Sequence, residues 1–209
     1  MSNTGCCSHG DRRSVSRSDE GAVAVQQNPV SLDVTPTVSR MRDLLDQIYA
    51  ATNAGQFYLC LFPSLTLPDI CAAMESDDGM ASRSRYVAWF DKYVAHKYYH
   101  SVMEECVFSG DDCYYYRCAL LHQGTGQHPK LRWNRVFFLE PGSGPVANMN
   151  VIGDMLNLDV GLFCINMLNS VLDWWSANSE TENVKRNWDR FLQRYPSGFP
   201  PFASVPTIT

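Results

Sequence analysis

Apolar residues recur at helical spacing from the end of the first sixth of the chain onward. Val38, Met41, Leu45, Ile48 and Ala51 fall three or four positions apart, the stripe of an amphipathic helix. Thr35-Pro36 suits its start, a cap followed by proline at the first helical position, and Gly55 suits its stop. From 57 to 75 the chain is apolar almost throughout but carries Pro63 and Pro68. Those prolines predict a short helical piece, a break, and a second helix over 68–75. Asp77-Asp78-Gly79 is a turn signal. A helix capped by Ser82 or Ser84 is expected to run to about His100, with Tyr86, Phe90, Tyr93 and Lys97 along one side and Trp89 beside them. The next begins near Ser109, where Ser109-x-x-Asp112 resembles a capping box, and ends at His122-Gln123-Gly124.

The pattern then changes. Val136, Phe137, Phe138 and Leu139 favour a strand, 141–145 is a Pro/Gly loop, and 146–152 suits a returning strand. A β-hairpin is therefore expected over about 132–153. A long amphipathic helix is predicted over about 156–178, with Leu158, Leu162, Ile165, Leu168, Leu172 and Trp175 inward. Asp159, Asn166, Asn169, Ser170 and Asp173 take its polar side. A last helix carries Val184, Trp188, Phe191, Leu192 and Tyr195, with Glu182 and Arg186 as an i,i+4 pair.

The fold class that follows is mainly α, a helical bundle with a β-hairpin insertion. The helical domain is placed at 35–195, and no internal repeat is visible. Residues 1–34 are rich in Ser, Gly, Asn and Gln with balanced charge, so they are expected to form a disordered arm. Residues 196–209, with Pro196, Pro200, Pro201 and Pro206, read as an extended tail.

Composition narrows the setting. The chain has 209 residues, enough for one domain with a sizeable core plus tails. The start, 1–11, is polar and lacks a signal-like apolar stretch, and uninterrupted apolar runs fall short of the roughly 20 residues that span a bilayer. A soluble, cytoplasmic protein without membrane contact is expected. The eight cysteines form no CxxC pair, so reduced thiols packed as small hydrophobes are expected rather than a zinc ribbon. A net charge of −5 gives no global attraction for nucleic acid, so any anion site must be local.

One local site stands out. Arg117 has Cys113, Tyr114, Leu120 and Leu121 as its i±3 and i±4 neighbours, which puts a guanidinium in an apolar stripe. Such a charge is costly unless paired or ligated. Glu75, Asp91 and Glu104 are the partners considered, with a snorkelling side chain as the other structural explanation. His122 lies at the end of the same helix, a position suited to acid–base chemistry. Five helical positions rotate it about 140° from Arg117, so convergence needs an unwound last turn or a second copy of the chain.

No Asp or Glu occurs from Cys113 to Leu139, a stretch holding Arg117, Lys130, Arg132, Arg135, His122 and His128. Gly124-Thr125-Gly126 offers backbone N–H groups, and Trp133 could stack on a base. His128, Lys130, Arg132, Arg135 and Trp133 are thus the candidates for phosphate or nucleic-acid binding, against a solvated loop with clustered charge.

Arg117-Cys118-Ala119-Leu120-Leu121-His122 is an Arg-x4-His arrangement near a helix end, and it resembles the signature of the HEPN superfamily of helical nucleotide-binding domains. Leu67-Pro68-Asp69-Ile70-Cys71 and the stretch 117–124 also resemble parts of bacterial proteins with no assigned activity. The resemblance implies a HEPN-like bundle, a homodimer, and an RNA or nucleotide ligand. It further implies a metal-independent endoribonuclease without a cofactor, in stress or phage defence. Arg117 would neutralise the scissile phosphate, His122 would act as acid–base catalyst on the 2′-hydroxyl, and the product would carry a 2′,3′-cyclic phosphate. Active members commonly carry Asn, Asp or His directly after the Arg; here it is Cys118. The alternative is a non-catalytic helical interaction module in which Arg117 belongs to a structural ion pair.

Rival sites are weaker. His96 and His100 at i,i+4, continued by Glu104, have metal-binding spacing, but Lys97 stands where a zinc-protease signature needs Glu. No metal is expected. Asp77-Asp78 and Asp111-Asp112 suit turns and caps, and Trp174-Trp175 and Tyr114-Tyr115-Tyr116 suit a core or a dimer interface.

Overall fold

The computed structural model describes residues 36–142 and 148–209, with side chains from Met41 onward. The expected N-terminal arm, the Thr35 cap, the Val38 side chain, the 143–145 part of the loop and the 146–147 start of the returning strand lie outside the described residues. The fold is mainly α. Helix α1 (Pro36–Asn53) buries Met41, Leu45 and Ile48, the stripe its spacing predicts.

Helix α2 (Phe57–Glu75) is continuous, against the predicted break. Pro63 and Pro68 each remove one intrahelical N–H, at roughly 3 kcal/mol in an exposed helix. Burial of Cys60, Leu61, Leu65, Leu67, Cys71 and Met74 outweighs that here. Thr66 Oγ1 also donates to Pro63 O at 2.8 Å, a side-chain bond inside the weakened turn. By length and composition α2 could cross a bilayer, but half of its apolar window is buried inside the fold. Helices α1, α3 (Arg83–Tyr93), α4 (Gly110–Gln123), α5 (Val160–Asn178) and α6 (Glu182–Trp188) all pack on it.

Helix α3 begins at Ser82, whose hydroxyl accepts from Arg85 N, and stops at Tyr93 rather than near His100. A 3-10 turn over Ala95–Tyr98 and strand β1 (Tyr99–His100), paired with β2 (Glu105–Cys106), follow. His96 and His100 are therefore on no common helix face. Among the described residues no group of three or more His, Cys, Asp or Glu is placed to hold a metal.

Helix α4 has the capping box expected of Ser109 and Asp112, and Gly124 closes it in the left-handed conformation. Asp112 is 4 % exposed and holds three groups: Ser109 N at 3.0 Å, Ser109 Oγ at 2.7 Å and Arg132 N at 3.3 Å. Gly110 lets this turn touch α3, since a Cβ there would meet Val87 O at 2.6 Å. Asp112→Ala is expected to destabilise the fold by about 2 kcal/mol, since half of the capping box is lost and the N–H groups of Ser109 and Arg132 are left without their acceptor. Urea denaturation would check it; an unchanged midpoint would mean that the cap is dispensable.

The expected hairpin is corrected. Strands β3 (Arg135–Leu139) and β4 (Asn150–Ile152) do not pair but flank β5 (Met155–Asp159). β3 runs parallel to β5 with Val136 opposite Leu156 and Phe138 opposite Leu158. β4 and β5 form the true hairpin, with Ile152 opposite Met155 across Gly153-Asp154. The predicted start of the long helix thus falls in a strand: Leu156 and Leu158 alternate with period two and are both fully buried. Asp159, expected on the polar face of the helix, is the cap of α5 and accepts from Leu162 N at 2.8 Å.

The buried face of α5 includes Leu168 and Trp175 as expected, with Ile165 and Leu172 packed against the core, but it is wider than the predicted stripe. Leu162 is exposed, whereas Phe163, Cys164, Met167, Val171 and Trp174 are fully buried. Ser170, expected outside, is buried and donates to Tyr93 O at 2.9 Å. Helix α6 ends at Trp188, before Phe191, Leu192 and Tyr195. Arg186 donates to Asp77 O and Asn183 Oδ1 rather than pairing with Glu182. The tail is not extended coil: β6 (Arg194–Tyr195) pairs with β7 (Thr207–Ile208), and Gln193 and Thr209 exchange backbone bonds. Cys60, Cys71, Cys113 and Cys164 are free and buried, as apolar packing of thiols requires.

Candidate functional site

Arg117 does find a carboxylate, and it is Asp69 rather than Glu75, Asp91 or Glu104. Arg117 Nη2 lies 2.6 Å from Asp69 Oδ2, with the two side chains 20 % and 17 % exposed. Each rejected partner is used elsewhere or turned away: Glu75 accepts from Trp174 Nε1, Asp91 accepts from Gly110 N, and Glu104 is exposed. Asp69 is the only charged residue between Phe57 and Met74, a lone acid in an apolar helix. That is the mirror image of a lone guanidinium in the α4 stripe, and it was the available signal.

The pair is ionic but poorly saturated. Asp69 Oδ2 and Arg117 Nε are both buried and take no well-aligned hydrogen bond. Burial pushes the Asp69 carboxyl above its ordinary value, and the guanidinium pulls it back only in part. Burial works against the charge of Arg117, but Asp69 and then Cys118 outweigh it and hold the guanidinium protonated. The Arg117 Nη1 to Cys118 Sγ distance is 3.9 Å.

A pocket of about 320 Å³ opens over this pair, lined by Asp69, Ala81, Ser82, Arg83, Tyr114 and Arg117. It lies at the start of α3, where the first N–H groups of a helix lack intrahelical acceptors and favour an anion. Arg83 joins the pocket to a second feature. Its guanidinium pairs with Asp111 at 2.6 Å and lies 5.0 Å from the Tyr115 ring centre.

Tyr115 gathers two of the expected binding residues. His128 stacks on its ring at 4.8 Å with 16° between planes, and Lys130 Nζ lies 5.7 Å from the ring centre. The Lys130 backbone N–H donates to His128 Nδ1 at 3.2 Å, which fixes the imidazole against the loop. Three cation-bearing or imidazole groups thus surround one aromatic ring beside the pocket.

The other expected residues lie elsewhere. Trp133 is 6 % exposed and its Nε1 donates to Val107 O at 2.7 Å, so the ring is a core anchor and no platform for a base. Arg132 lies over that ring at 4.7 Å, pairs with Glu105 and donates to Cys106 O, and it does not line the Arg117 pocket. Arg135 is exposed at the start of β3, its guanidinium 6.0 Å from the Phe137 ring centre. Among the described residues neither Lys130 nor Arg135 enters an ion pair. His122 is exposed in the last turn of α4 and does not line the Arg117 pocket. The helix is regular to Gln123, so the rotation of about 140° between the two side chains remains. Ser82, Arg83, Tyr114 and Tyr115 are the site residues that the sequence did not single out.

The chain matches no protein-family model, no curated protein and no solved structure with which it was compared.

Proposed function

We propose that the chain is a helical binding module for a phosphate-bearing ligand, a nucleotide or single-stranded RNA, which it holds without cleaving. What carries this reading is Arg83, which connects the Asp69–Arg117 pocket at the start of α3 to the Tyr115–His128–Lys130 cluster. A phosphate fits the pocket, met by Arg83, the α3 N–H groups and the rim of Arg117. A base fits against the stacked Tyr115–His128 pair, and Lys130 neutralises the next phosphate. Arg117 serves chiefly as the partner of Asp69, which fixes the pocket floor.

The HEPN-like nuclease is the second reading, favoured by the Arg-x4-His spacing. Within one protomer the two groups diverge, so it requires a homodimer in which the second copy supplies His122.

Fluorescence anisotropy with a short labelled RNA separates the two. Binding is expected to weaken with salt with a log–log slope of about −1.4, as for two neutralised phosphates on a single strand. Arg83→Ala combined with Lys130→Ala is expected to lower affinity at least tenfold, the loss of two such contacts. RNA is expected to stay intact in EDTA. Cleavage that His122→Ala abolishes at unchanged Tm would favour the nuclease, and absence of salt-dependent binding would defeat both.

A further inference from the structure

A second cavity lies between α1, α2 and the segment after α6, and it is independent of the phosphate site. It is open to solvent on one side and measures about 440 Å³, within the range of small-molecule sites. Its wall is apolar, formed by Leu44, Ile70, Ala73, Met74, Phe191 and Leu192. The polar groups along it are largely spoken for. Asn187 caps the end of α2 by donating to Met74 O at 3.0 Å and Ser76 O at 2.7 Å.

Arg190 is different. It also lines the cavity, and it donates through one nitrogen, Nη1, to the Asp78 carbonyl at 3.0 Å. The Asp78 carboxylate is taken by Arg85 at 2.7 Å. Arg190 enters no ion pair among the described residues, so the cavity has one unneutralised guanidinium at its edge. The chain makes room for that group: a Cβ on Gly79 would collide with the Arg190 guanidinium and meet Asn187 Oδ1 at 2.8 Å.

We propose that this cavity binds a free medium-chain carboxylate, its head on Arg190 and its alkyl chain along Leu44, Ile70 and Phe191. Charge complementarity selects the head: a neutral hydrophobe leaves the guanidinium unused, and a small hydrophilic anion leaves the apolar wall wet. The apolar wall selects the tail, since Leu44, Ile70, Phe191 and Leu192 offer no polar side-chain partner to a hydrophilic one.

Calorimetric titration of the full chain with decanoate, below its micellar concentration, tests this. One saturable site is expected, with affinity falling about fourfold per methylene removed from the chain. Decanol should bind at least tenfold more weakly than decanoate, the difference expected for a charge-assisted carboxylate contact. Arg190→Gln should erase that preference and leave Tm unchanged, because the residue is exposed. Leu192→Asp, at another exposed position, should weaken decanoate without touching RNA binding. Several equivalent sites, equal affinity for decanol and decanoate, or no effect of Arg190→Gln would each overturn the proposal. So would a concentration-dependent dimer that Leu192→Asp disrupts and that excludes decanoate, because the cavity would then be an interface between copies.

Discussion

Arg117→Met is expected to lower Tm by about 8 °C, the equivalent of about 2–3 kcal/mol in a domain of this size. The physical reason is the residue it abandons. Asp69 is four-fifths buried in an apolar helix, and among the described residues Arg117 is its one ionic partner. Removing one member of such a pair leaves an uncompensated charge, which costs more than the pair itself contributes. Asp69→Leu combined with Arg117→Met should therefore recover most of the loss, since an apolar pair of similar volume fills the same space.

The pH dependence carries a definite sign. The folded Asp69 carboxyl already titrates above its ordinary 3.8, because burial outweighs the guanidinium. A carboxyl raised in the folded state contributes stability that is full below the unfolded value and is lost as pH rises through the folded value. Without Arg117 the folded value moves further up. The deficit of Arg117→Met relative to the parent chain should thus shrink as pH is lowered from 7 to 5. Calorimetric scans across that interval measure it directly. A deficit that stays constant or grows on acidification would mean that Asp69 is not the group left stranded. RNA binding by the double variant, measured at a temperature where it is folded, tells whether Arg117 touches the ligand as well as the pocket floor.

The same pair shows how far the sequence could be read. Arg117 was conspicuous because its helical neighbours are apolar, and the capping box and glycine stop of α4 are local signals that survive folding unchanged. The identity of its partner was not local. Asp69 lies 48 positions earlier on a helix that two prolines seemed to interrupt, and helix continuity there is decided by burial from five other helices. The strand region failed for a related reason. Val136–Leu139 was recognisable as a strand, but a parallel partner is set by which apolar residues align in space, and β5 carries the alternating Leu156 and Leu158. A five-residue strand followed at once by a helix reads as one amphipathic segment, so the cap at Asp159 was hidden inside it. The Tyr115 cluster needed three dimensions outright: Arg83 comes from α3, and His128 and Lys130 come from the loop after α4.

Phe163→Ala is expected to have the largest effect on stability, about 4 kcal/mol, as for a fully enclosed phenyl ring whose cavity cannot collapse. The ring has no exposed surface and meets Phe138 at 4.9 Å, Phe108 at 6.2 Å and Tyr98 at 6.5 Å. These neighbours belong to β3, to the approach to α4 and to the turn after α3, so one side chain on α5 joins three otherwise separate pieces. Phe138 in turn meets Tyr116 of α4 at 5.1 Å, which sets β3 against the helix that carries the candidate site. The loop bearing His128 and Lys130 is strung between that helix and that strand. Loosening β3 should therefore free the loop before the helices melt. Hydrogen exchange is expected to accelerate first at 135–139, and RNA affinity to fall at temperatures where α1 and α2 are still protected. Phe163→Leu keeps most of the volume and should cost less than about 1.5 kcal/mol, with the loop still held. If instead Phe163→Ala lowers affinity no more than Phe163→Leu while removing most of the stability, the loop owes its position to Asp112 and Trp133 alone.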